Sequence, residues 1–116
     1  MAKRGDLVQR PAKKSEHEIR FASSQAQKGW RDLVAVQRNA MADTFDFLTS
    51  SPTQFDAKTN YPLKGALGQI TDRSGATHVR WQHKPTAAGD ARVWFYVDGS
   101  TVYLEQVHTR HPNETK

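Results

Sequence analysis

Arg80, Lys84, Arg92, Trp94, Tyr96 and Tyr103 fall at alternating positions of strand-like segments, so cations and aromatic rings gather on one side of a sheet. That combination suits RNA: guanidinium and ammonium groups hold phosphate oxygens, and aromatic faces stack on unpaired bases. The same pattern also fits an ordinary solvated sheet face, with Arg92 and Glu105 as a cross-strand pair contributing well under about 1 kcal/mol. His17, His78 and His83 share no ligand spacing, so no metal site is expected. No serine or cysteine nucleophile motif is present, and Gly65, Gly68 and Gly75 are too scattered to cradle a phosphate. No cofactor is expected.

The strands that must carry these side chains are marked by their turn. Two alternating runs, 90–97 and 100–108, are joined by Asp98-Gly99, the strongest short-range hairpin signal in a sequence. Pairing Val97 with Ser100 sets Phe95 opposite Val102 and Val93 opposite Leu104 on an apolar face. The other face then shows Arg92 opposite Glu105, Trp94 opposite Tyr103, and Tyr96 beside Thr101. His108 shares the parity of Val102 and Leu104, which points it toward the apolar side in a regular strand. A bulge or strand end at Val107 would turn it round.

Upstream, His17 to Ala22 alternates like a strand, and Ser23 or Ser24 can cap a following helix. From Gln25 to Thr49, apolar residues recur at three- and four-residue steps, with Arg38-Asn39 as the expected break between two helices. Ser50-Ser51-Pro52 ends the block. Residues 53–62 read as loop, Leu63 to Ile70 as a weak strand, and Thr77 to Lys84 as a better one. The expected class is α+β: a short N-terminal strand, a helical hairpin, then a twisted antiparallel sheet with helices on one face. Val79, Trp81, Val93, Phe95, Val97, Val102 and Leu104 would meet Trp30, Leu33, Val34, Phe45 and Leu48 in the core.

A chain of 116 residues supports one domain, and its mean hydropathy of -0.79 implies a small core under a very polar surface. Without cysteine, disulfide and thiolate chemistry are excluded, and a reducing cytoplasm is the expected compartment. No apolar run approaches the roughly 18 residues of a membrane span, and no secretory signal is expected. The net charge of +5 favours polyanionic partners. Residues 1–15 read as a basic arm and 16–116 as a single domain. Arg4-Gly5-Asp6 matches an integrin-binding triplet, but such triplets are common by chance.

The order of these elements, with Tyr61-Pro62-Leu63-Lys64-Gly65 after the helices, the strand Arg92-Val93-Trp94-Phe95-Tyr96-Val97-Asp98-Gly99 and a terminal valine–histidine strand, resembles the RelE/ParE superfamily of bacterial type II toxins. The resemblance covers roughly residues 17–111 and is that of a divergent branch, in which Val107 to Lys116 replaces the common histidine–tyrosine ending. It implies a ribosome-dependent endoribonuclease that cuts messenger RNA in the ribosomal A site without metal, by attack of the ribose 2′-hydroxyl on the adjacent phosphate. It also implies a cognate antitoxin, acidic where it covers Arg80 and Arg92. By that resemblance Lys64, Arg80 and Arg92 would stabilise charge on the phosphorane, and His108 would be the general acid or base. Lys84, Trp94, Tyr96 and Tyr103, with His111 and Lys116 on a tail able to fold over the face, would hold RNA. The superfamily also contains the ParE branch, which inhibits DNA gyrase without cutting RNA, and a non-catalytic nucleic-acid-binding module would keep the same face.

Overall fold

The computed structural model describes residues 4–110. The fold is α+β, and its order is β1 (Glu18–Phe21), α1 (Ser24–Val36), α2 (Arg38–Ser50), β2 (Asn60–Pro62), a 3-10 turn (Gly65–Gly68), β3 (Gln69–Thr71), β4 (Thr77–Val79), β5 (Trp81–His83), β6 (Arg92–Asp98) and β7 (Thr101–His108). Ser23 caps α1, its Oγ accepting from the Ala26 N–H at 3.0 Å. The helices part at Gln37, one residue before the expected break, and no non-glycine residue takes a left-handed conformation there. The hinge is Gln37, at φ -139° and ψ 52°, rather than an asparagine turn.

Five strands form one sheet in the order β1-β7-β6-β5-β2, and β3 and β4 form a separate hairpin. All neighbours in the large sheet are antiparallel except β1 and β7. The sheet is therefore mixed. The chain leaves β1 through both helices to the far edge at β2, then returns by antiparallel steps, so β7 arrives beside β1 running in the same direction. Apolar side chains of α1 and α2 (Ala26, Leu33, Met41, Leu48) close over Val93, Phe95, Val102, Leu104 and Val107. Fully burying each large side chain is worth about 1.5–3 kcal/mol, so this layer is the main source of stability. Gly29 lies flush on β7, where an added Cβ would overlap the Val107 carbonyl.

Two expected core members lie outside it: Val79 is 53% exposed and Phe45 43%. Val79 leaves the core because the strand expected over 77–84 breaks at Arg80. There the Arg80 N–H donates to the Gly68 carbonyl and the Arg80 carbonyl accepts from the Leu63 N–H, both at 2.9 Å. The half before the break pairs with β3, and the half after it joins the large sheet. Residues 53–62 are not all loop, since Asn60–Pro62 pairs with β5 at the sheet edge. No helix or strand precedes Glu18 among the described residues, but Arg10 is tied down by two 3.0 Å bonds to the Glu16 carboxylate.

Candidate functional site

The β6–β7 hairpin decides what the sheet presents. Asp98 pairs with Thr101, so Gly99 and Ser100 form the turn, with Gly99 at φ 61°. One positive-φ glycine in the first of two loop positions is the type II′ arrangement. The pairing therefore slips from the expected register: Val97 meets Val102, Tyr96 meets Tyr103 and Phe95 meets Leu104. The faces survive because the slip is an even number of residues. Between Trp94 and Phe95 the register shifts once more, and Glu105 bulges out of β7. Past this bulge the parity reverses, so Val107 enters the core and Gln106 and His108 stand with Trp94 and Arg92.

Residues far away in the chain support the bulge. Beyond Phe21 the chain turns into α1, which leaves β7 without a strand on that side. The Ser23 hydroxyl donates to the Glu105 carbonyl at 2.8 Å. The Gln25 amide then pairs with both backbone groups of Val107: Nε2 donates to its carbonyl at 2.8 Å, and Oε1 accepts from its N–H at 3.0 Å. A side-chain amide has the donor and acceptor of a peptide group, so Gln25 continues the ladder that β1 abandons.

Register gives the remaining geometry. Tyr61, Gln82, Trp94 and Gln106 form one row across the face opposite the helices. Arg92 and His108 are paired in the next row, where Lys84 follows β5. The His108 ring meets Trp94 edge-on, with centroids 4.9 Å apart. Arg92 is buried and donates from one nitrogen to the carbonyls of Gly89 at 2.7 Å and Ala91 at 2.9 Å, while its Nε has no hydrogen-bond partner. Lys64 is exposed on the connection after β2. That edge lies three strands from β7, roughly 14 Å across the sheet, so Lys64 stands apart from the Arg92–His108 pair.

The face expected to be open is largely roofed. The β3–β4 hairpin folds over it, stacking His78 on Tyr96 at 4.6 Å, and Tyr96 in turn stacks on Tyr103 at 5.1 Å. Trp94 is 2% exposed and Tyr96 7%, so neither ring offers a free surface to a base as expected. Burial, with Asp72 close by, pushes the Tyr96 phenol up from its usual range. Arg80 is likewise committed. Its Nε and one terminal nitrogen bond the Glu105 carboxylate at 2.7 and 2.9 Å, its other terminal nitrogen donates to the Leu67 carbonyl at 3.3 Å, and the guanidinium lies 5.2 Å from the Trp94 ring centroid. The expected Arg92–Glu105 pair is therefore an Arg80–Glu105 pair, because the bulge turns Glu105 toward β5. Tyr103 and Lys84 are half-buried, and His111 and Lys116 lie outside the described residues.

Asp72, His78 and Asp98 bring three metal-capable atoms within 4.8 Å of one another. Two of them are already engaged: Asp72 bonds His78 at 2.7 Å and accepts from the Ser74 hydroxyl and the Ser74 and Ala76 N–H groups. These bonds, led by those from Ser74 and His78, hold the Asp72 carboxyl far below the usual range. The group reads as the clasp of the hairpin. Sequence reasoning missed Tyr61, which lies in a segment read as loop, and Gln82, which alternation placed on this face without a role.

No known family model, curated protein or solved structure matches the chain. Among the described residues no helix is long and apolar enough to cross a membrane.

Proposed function

We infer that this protein is the toxin of a type II toxin–antitoxin pair, a metal-free endoribonuclease acting on messenger RNA in the ribosomal A site. The observation that carries the reading is the Glu105 bulge, which turns His108 away from the core and pairs it with Arg92. A 2′-hydroxyl that attacks the adjacent phosphorus must lose its proton, the P–O5′ bond must break, and the departing 5′-oxygen must gain a proton. An imidazole can take up or give a proton, which suits His108 to one of those transfers, and the Arg92 guanidinium, now held on the Gly89 and Ala91 carbonyls, would turn outward to meet a phosphorane oxygen. Lys84 and Lys64 then hold flanking phosphates. Arg80 has another role, since Glu105 neutralises it: it positions the floor beneath His108. The inhibitory partner is an acidic antitoxin segment covering Arg92 and Lys84 in the cytoplasm.

A second reading is favoured by the same Arg80–Glu105 pair, because spending that cation leaves fewer free charges for phosphoryl chemistry. In it the fold binds without cutting, as a DNA gyrase inhibitor or a nucleic-acid module. Primer extension on ribosomes stalled on a defined message separates the two. A cut in the A-site codon that disappears in Arg92→Ala and His108→Ala, with folding intact, is expected. An uncut message with folded protein refutes the nuclease and sends the protein to a gyrase supercoiling assay.

A further inference from the structure

The Trp94 indole nitrogen can only donate, and it donates to Oε1 of Gln82 at 2.8 Å. That bond fixes which way the buried Gln82 amide lies. Its nitrogen is therefore the atom that meets the Tyr61 hydroxyl, at 2.7 Å. A phenol oxygen that accepts from an amide keeps its own hydrogen for a different acceptor. No described residue supplies one, and Tyr61 is half-buried at the β2 edge of the sheet. The Lys84 ammonium lies 5.8 Å from the Tyr61 ring centroid, on the same face. A donor chain running from indole to amide to phenol strengthens its last member, and that member is the one beside the cation.

We propose that Tyr61 and Lys84 form a phosphate contact for a single-stranded RNA laid across this face, with Gln82 aiming the Tyr61 hydroxyl. The contact rests on the reading of this face as RNA-facing and names a site within it. Lys84 lies two strands from β7, roughly 10 Å, so the pair holds a phosphate flanking the one between Arg92 and His108. An RNA strand is the occupant because Lys84 follows His83, whose partner Val93 adjoins Arg92 opposite His108, so cations line this face, and the Tyr61 hydroxyl has a hydrogen to give an anionic oxygen.

The test is a titration of a short fluorescein-labelled oligouridylate with the full chain, by anisotropy at several salt concentrations and without ribosomes. Tyr61→Phe deletes one hydrogen bond to an anion, so affinity falls about tenfold at every salt while the salt slope is unchanged. Lys84→Gln lowers affinity and reduces the slope of log K against log salt by about 0.7, the signature of one lost phosphate contact on a single strand. A folded Tyr61→Phe that binds like the parent overturns the proposal, as does a Lys84→Gln with an unchanged slope. Should Tyr61→Phe fail to fold, because Gln82 loses its acceptor, Lys84→Gln decides alone. A parent chain that binds no oligouridylate at low salt also overturns it, whatever it does on the ribosome. Binding with these signatures by a chain that never cuts A-site message refutes the nuclease and leaves the contact standing.

Discussion

Replacing Gln25 with alanine removes the side chain that stands in for a missing strand. Both of its bonds go to Val107, at 2.8 and 3.0 Å, and Val107 is fully buried. Each bond contributes about 0.5–1.5 kcal/mol net, and a buried backbone group left without a partner costs about 1–3 kcal/mol. Alanine recovers a few tenths through helix propensity, so the expected loss is about 2–4 kcal/mol. For a domain of this size that lowers Tm by about 10 °C. Denaturant titration measures the loss, and amide hydrogen exchange locates it: Val107 and His108 should exchange faster, while Phe95 and Leu104 on the far side of the bulge keep their relative protection. On the nuclease reading proposed above, cleavage of A-site message should fall with the order of this strand end. A loss below about 0.5 kcal/mol with Val107 still protected would refute the reasoning, showing that β6 and the core hold the end of β7 unaided.

Other perturbations probe other parts of the fold. Gly29→Ala drives a Cβ into the Val107 carbonyl and should cost about 1–3 kcal/mol in urea melts, whereas a neutral result would mean that α1 is free to lift. Arg80→Met should cost about 2 kcal/mol by leaving the partly buried Glu105 carboxylate without its cation and with only the Gln106 amide donating to it, and Arg80→Met with Glu105→Leu should regain most of it; a double variant as unstable as the single contradicts this. Burial lowers the His83 pKa to about 4 from 6.5, so between those values the unfolded chain binds a proton that the folded chain refuses. Stability should therefore decline by about 3 kcal/mol as pH falls from 6.5 to 4, and His83→Phe should remove that slope in melts across the range. An undiminished slope in the variant assigns the pH dependence elsewhere.

Local chemistry made much of this architecture legible. The Ser23 cap, the two helices and the Asp98-Gly99 hairpin follow from hydroxyl capping, three-to-four periodicity and glycine's access to positive φ, each settled within a few residues of chain. The division of β6 into a core face and a polar face was equally readable, because an even slip in register leaves a period of two intact. Charge was legible only as composition. That Arg80 pairs with Glu105 and leaves Arg92 to face His108 depends on which strand each side chain meets.

Tertiary structure alone decided the side on which His108 stands. Its parity within the strand pointed it to the core, and the Glu105 bulge reversed that orientation with support from Gln25, 82 residues away in sequence from its partner Val107. Roofing of the aromatic face was likewise unreadable, because the break at Arg80 depends on the carbonyl of Gly68 and the N–H of Leu63. Periodicity reports which side chains share a face of one segment. Which backbone groups lack a strand partner, and which distant amide or carbonyl then satisfies them, is settled only when the chain has closed on itself.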